Sequence, residues 1–203
     1  MVKTRTSEGT IRLGIEPELF AHPGDHVAYL WENDAEFERG VRFLGVGLEE
    51  GDACVVFGHE EANEKVLAIL RKEAIDVDSA LGHGRLVVIG GESTGEATLD
   101  NIGRQFKSLR DGGARTIRLL GNIGWGRSGW PTDTDILAFE SKVTGAIRDL
   151  PCVVVCMYDV RSLSGQIVVH GAFETHPLTF CRNVLRENPH HVPIEEFLAS
   201  LKP

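Results

Sequence analysis

Three places in the chain set a polar side chain beside an aromatic ring at the end of a strand-forming run. They are Trp31-Glu32, Asn122 with Trp125, and Tyr158-Asp159. Aromatic rings hold apolar ligands through buried area, and one or two polar groups fix the ligand's orientation. Arg161 follows Asp159 closely, and His176 stands in Thr175-His176-Pro177. Asp159 and His176 are also residue types that perform acid–base work, so an enzyme using that pair is one reading.

Other chemistries lack their residues. A phosphate loop needs glycines for close backbone approach and a lysine for the phosphates. The first strand-to-helix turn instead reads Leu30-Trp31-Glu32-Asn33-Asp34-Ala35-Glu36, with neither. Gly121-Asn122-Ile123-Gly124-Trp125-Gly126 lacks the spacing of a dinucleotide fingerprint. Gly126-Arg127-Ser128-Gly129-Trp130 nearly matches a nucleophile elbow, but it lies within a loop. His22 and His26 are separated by Pro23-Gly24, His190-His191 precedes a proline-containing stretch, and no His-Glu-x-x-His occurs. Spacing therefore predicts no metal site and no cofactor.

The elements that must position these residues alternate regularly. His26–Trp31, Ala53–Phe57, Leu86–Ile89, Thr116–Leu120 and Cys152–Met157 read as strands. Helical stripes lie between them: Phe37, Val41, Leu44, Leu48; then Val66, Leu67, Leu70; then Leu99, Ile102, Phe106, Leu109; then Ile136, Phe139, Val143, Ile147, Leu150. Cys152–Met157 is apolar on both alternations, which suits a strand covered on both faces of a parallel sheet. Alternating strand and helix predicts an α/β fold, a mainly parallel sheet flanked by helices on both faces. In such sheets ligands bind outside the carboxyl ends of the strands, where Tyr158 and Asp159 should stand. Trp125 and Tyr158 are expected to form a pocket wall there, with Asp159 fixing its polar end and Trp125 on a loop outside the core.

Residues 1–23 are expected to be a polar, partly flexible segment, with an edge strand carried by Ile11, Leu13 and Ile15. Residues 24–203 are expected to be a single domain. Ser164–Glu174 reads as a helix, Leu178–Cys181 as a strand and Ile194–Leu201 as a short helix. His176 reaches the Tyr158 edge if Leu178–Cys181 is antiparallel to the central strand, and starts at the opposite edge if it is parallel.

A net charge of −9 opposes direct binding to nucleic acid or an anionic membrane. There is no leader-like apolar segment and no run long enough to span a bilayer. Three of the four cysteines, Cys54, Cys152 and Cys156, lie in apolar runs, as reduced cysteine in a cytoplasmic protein does.

The ordered motifs His26-Val-Ala-Tyr29-Leu-Trp-Glu32, Phe43-Leu-Gly-Val-Gly47-Leu-Glu-Glu-Gly51-Asp, Leu119-Leu-Gly121-Asn-Ile-Gly-Trp125, Cys156-Met-Tyr158-Asp159, Thr175-His176-Pro177 and Arg186-Glu-Asn188-Pro189 resemble the MEDS domain, the methanogen/methylotroph DcmR-type sensory domain. The resemblance covers roughly His26 to Leu198. It implies a RecA-like three-layer sandwich, related to the circadian-clock ATPases, without a Walker A loop. It also implies a non-catalytic sensor of small hydrocarbon derivatives, and it adds His26 and Tyr29 to the candidate ligand-binding residues. Asn122 departs from the pattern, since many members carry an acid there. The expected partners are a small molecule and a regulatory protein of kinase, anti-sigma or transcription-factor type, with a homodimer possible. A pseudo-ATPase scaffold that binds only protein is the alternative reading.

Overall fold

A computed structural model describes residues 9–202. In chain order the elements are β1 (Ile11–Arg12), β2 (Phe20–Ala21), β3 (Asp25–Trp31), α1 (Asp34–Glu50), β4 (Ala53–Gly58), α2 (Glu60–Lys72), α3 (Val77–Gly82), β5 (Leu86–Ile89) and α4 (Gly95–Asp111). There follow β6 (Ile117–Asn122), α5 (Asp133–Ile147), β7 (Cys152–Asp159), α6 (Gly165–Ile167) running into a π-helical turn (Val168–Phe173), β8 (Leu178–Cys181), β9 (Val184–Glu187) and α7 (Ile194–Ser200).

The strands that are apolar on both alternations lie in the middle of a seven-stranded sheet of order β5-β4-β6-β7-β3-β8-β9. All pairings are parallel except that of β9 with β8. Side chains alternate across this sheet. Tyr29, Trp31, Val56, Val155 and Met157 share one apolar cluster with residues of α1, α2 and α3. Ala28, Phe57, Val154, Cys156 and Tyr158 share a second with residues of α4, α5 and α7. The architecture is the three-layer α/β sandwich predicted from the sequence.

Helix starts follow the capping residues. Asn33 accepts from Glu36 N, Thr94 from Ala97 N and Thr132 from Asp135 N. Gly51 closes α1 in a left-handed conformation at φ 84°, which suits glycine.

The structure departs from the sequence expectations at several elements. Ile11 and Arg12 pair with β2 in a separate two-stranded sheet rather than at an edge of the main one. Ile11, Leu13 and Ile15 are buried there, packed into the first cluster. Of the expected segment 1–23, residues 1–8 lie outside the described residues. Helix α3 and strand β9 were not foreseen, and β6 runs on through Gly121 and Asn122. Of the two directions left open for Leu178–Cys181, the structure has the parallel one, β8 running parallel to β3.

The chain leaves β3 and β4 toward one face and β6 and β7 toward the other. Adjacent strand ends that diverge in this way open a crevice at the carboxyl edge.

Candidate functional site

Eight of the ten residues singled out from the sequence fall into two groups, with Tyr29 and Glu32 apart from both.

The first group surrounds a crevice of about 440 Å³ at the carboxyl edge, whose lining includes Trp31, Asn122, Trp125, Asp159, His59 and Lys65. Trp31 ends β3, Asn122 ends β6 and Asp159 ends β7. Trp31 Nε1, Asn122 Nδ2 and Trp125 Nε1 are all shut off from solvent without a hydrogen-bond partner. Each is an obligatory donor, and a buried donor left unmatched costs about 1–3 kcal/mol. Asp159 bonds Arg161 through both carboxylate oxygens, at 3.0 and 3.1 Å. Partial burial opposes ionisation of Asp159, but the bonds to Arg161 outweigh it and hold the carboxyl below its usual range. The Arg161 guanidinium lies 4.8 Å from the Trp31 ring centroid. Glu32 stands outside, 3.8 Å from Arg182.

The second group is buried on the sheet face beneath α5. His26 comes from β3, Cys156 and Tyr158 from β7, and His176 from the link into β8. Glu140 of α5, which the sequence reading missed, lies at their centre with 0% exposure. His176 Nε2 is 3.1 Å from Glu140 Oε2, and His26 Nε2 is 3.8 Å from it. Cys156 Sγ is 3.4 Å from His26 Nε2 and 3.8 Å from Glu140 Oε1. The rings of His26 and His176 pack with centroids 3.8 Å apart.

Hydrogen bonds outside this cluster fix both imidazoles. Thr144 Oγ1 donates to Thr175 O at 3.2 Å, so it accepts from His26 Nδ1 at 3.0 Å. His176 Nδ1 lies 2.9 Å from Thr175 Oγ1, whose own hydrogen goes to Gly171 O, and 3.1 Å from that carbonyl, so Nδ1 carries a hydrogen and donates to Thr175 Oγ1. Tyr158 also donates to Gly171 O at 2.9 Å, and Thr175 Oγ1 donates to the same carbonyl. That carbonyl lies in the π-helical turn, near a helix end where backbone acceptors need outside donors. Burial, with His176 and His191 nearby, holds His26 well below its usual range. Burial next to Glu140 pushes the Cys156 thiol and the Tyr158 hydroxyl well up.

Several expectations change. Tyr158 does not overhang the crevice: its ring is fully buried, its hydroxyl faces Gly171 and Glu140, and it lies tilted against Trp125 with centroids 6.3 Å apart. Trp125 is not outside the core. It is 9% exposed and packs against Gly171. Although β8 is parallel, His176 still meets Tyr158, with centroids 5.6 Å apart, because the π-helical turn carries the chain across the sheet face. Asp159 and His176 engage different partners, so the acid–base pair does not form. Tyr29 packs on the other face, stacked on Phe180 at 4.9 Å and donating to Glu36 O at 2.7 Å.

A third feature adjoins the buried group. A largely apolar cavity of about 360 Å³ lies between the sheet and helices α4 and α5, lined by Leu99, Phe106, Phe139 and Val143 and, among them, Glu140 and Cys156.

Residues 25–177 match the family model described as MEDS, methanogen/methylotroph, DcmR sensory domain. The chain belongs to the MEDS family. MEDS domains are sensory modules, and the matched span holds every residue of both groups. No curated protein matches the MEDS chain. None of its helices, among the described residues, is long and apolar enough to cross a membrane.

Proposed function

We propose that this MEDS chain is a non-catalytic sensor that binds a small, largely apolar hydrocarbon derivative in the carboxyl-edge crevice. The observation that carries this reading is the three unmatched donors, Trp31 Nε1, Asn122 Nδ2 and Trp125 Nε1, on residues lining one crevice. They call for a ligand with an acceptor oxygen on an apolar body, such as a short alcohol, aldehyde or carboxylic acid. Because the nitrogens are sealed from solvent, matching them requires a small outward movement of their side chains. That movement differs between bound and free protein, which is what a sensor must provide. A regulatory protein then reads the change. The acidic surface opposes direct contact with nucleic acid and suits a cytoplasmic protein acting through a protein partner, as a monomer or a homodimer.

The test is a melting-temperature series with short-chain alcohols, aldehydes and carboxylates, run on wild type and on Asn122→Ala. Ligand that binds only the folded state raises the melting temperature with concentration. We expect such a rise for one chemical class in wild type, no turnover of that compound, and a weaker rise in Asn122→Ala. An equal rise in both proteins, or conversion of the compound, would overturn the reading.

A further inference from the structure

We infer that His26, Glu140, Cys156 and His176 form a binding site for a single zinc-type divalent cation. This stands apart from the crevice and does not rest on the sensor reading.

The four donor atoms come from four separate elements and all lie within 4.8 Å of one another. A tetrahedral zinc ion with ligands at about 2.0–2.3 Å sets its donors about 3.3–3.7 Å apart. The closest separations here, 3.1, 3.4, 3.8 and 3.8 Å, bracket that spacing.

A second observation points to a cation. His176 Nε2 is fully buried and makes no hydrogen bond, although Glu140 Oε2 is only 3.1 Å away. A hydrogen on that nitrogen would not point at the carboxylate. With the ring hydrogen on Nδ1, two lone-pair acceptors stand 3.1 Å apart with no hydrogen between them. In His26 the ring is likewise held at Nδ1 by Thr144, and its Nε2 meets the Cys156 thiol, another of the four donors, at 3.4 Å. Metal-binding histidines carry this outer hydrogen bond, which fixes the tautomer and aims the ring.

Charge gives the third argument. A carboxylate sealed from water without a cation is costly. A divalent ion, one carboxylate, one thiolate and two neutral imidazoles sum to zero. Binding would release the Cys156 thiol proton to solvent. The mixed nitrogen, sulfur and oxygen set suits zinc and its first-row neighbours, whereas calcium and magnesium want cages of oxygen. The apolar cavity that Glu140 and Cys156 line offers a route, since its rim includes the exposed Asp100, Gly103 and Ala146.

The experiment titrates chelator-treated full-length protein with Zn²⁺ and, separately, with Co²⁺. We expect a single ion per chain and a thiolate-to-cobalt charge-transfer band. Cys156→Ser should remove the band and weaken zinc binding at least tenfold. Thr144→Val keeps all four ligands and should weaken binding about ten- to a hundredfold. His190→Gln, away from the cluster, should change nothing. If Cys156→Ser fails to fold by circular dichroism, the wild-type cobalt spectrum still decides. No stoichiometric ion, a cobalt spectrum without the thiolate band, or binding lost in His190→Gln but kept in Cys156→Ser would overturn the site.

Discussion

Gly47 on α1 leaves the space through which the buried side chain of Arg118 passes: a Cβ there would stand 2.4 Å from Arg118 Cδ and 2.6 Å from Nε. Arg118 is fully buried on β6, and its guanidinium bonds Asp52 at 2.7 Å, Glu50 at 2.8 Å, Arg12 O at 2.6 Å and Phe43 O at 3.2 Å. Gly47→Ala should cost about 1–3 kcal/mol, the usual range for overpacking. Arg118→Ala should cost about 3 kcal/mol, toward the lower end for a broken buried pair because Glu50 keeps contact with water. Urea unfolding reads both. A midpoint unchanged in Arg118→Ala would show that the guanidinium adds nothing to the fold.

Trp125 has two separable properties. Its ring fills space between Tyr158 and Gly171, and its N–H is unmatched. Trp125→Ala should therefore destabilise the fold by about 3–5 kcal/mol. Trp125→Phe keeps most of the packing and removes the unmatched donor, so its stability should lie within about 1.5 kcal/mol of wild type. Thermal melts of the two variants check this, and similar melts for both would place the ring outside the core.

Stability should depend on pH through His59, which caps α2. His59 Nδ1 accepts from Ala62 N at 3.4 Å, which requires the unprotonated ring. Burial and the nearby Arg127 hold this histidine below its usual 6.5, with Glu61 opposing them. A histidine with a lowered folded value contributes stability that is full above 6.5 and lost as pH falls below it. Hydrogen exchange at Ala62 and Asn63, corrected for intrinsic rate, should therefore quicken between pH 7.5 and pH 5.5, values chosen about one unit either side of 6.5. His59→Asn keeps an acceptor at the cap and should abolish the difference. A persisting difference would assign it to another group.

Thiol reactivity should be uneven. Cys181 is exposed, whereas burial pushes Cys54 and Cys152 up to about 12 and Cys156 well above its usual value. The thiolate is the reacting form, so an Ellman-type reagent should label Cys181 rapidly and the others only on unfolding. Cys181→Ser should abolish the rapid phase. Rapid labelling that persists in that variant would mean that one of the buried strands opens.

The sheet was legible because its strands and helices carry different hydrophobic periods, and β7 announces its central place by being apolar on both faces. The crevice residues were legible because strand ends can be read from where polarity returns. Glu140 was not. It sits inside the stripe Ile136, Phe139, Val143, Ile147, where one charge reads as a surface residue on an otherwise buried face. Its role depends on β3, β7 and the turn before β8 meeting beneath it, which no local spacing encodes. Strand β9 was missed because it is short and largely exposed, and because its hairpin turns on Arg182 and Asn183, with φ of 48° and 68°, rather than on an Asn-Gly pair. His176 was placed conditionally because strand direction cannot be read from a four-residue apolar run.

Strand β3 is the first to be made of the strands in the main sheet, yet its two neighbours there, β7 and β8, are among the last. During synthesis on the ribosome it has to wait, unpaired, while β4, β5, β6 and their helices emerge and can assemble with one another. Closing so distant a pairing is slow, and an exposed apolar strand is prone to the wrong partners in the meantime. The histidine pair His26 and His176 therefore comes together only when the two ends of the matched family span meet, so a half-made chain has one flank of the sheet, β5 and β4, but not its buried polar centre.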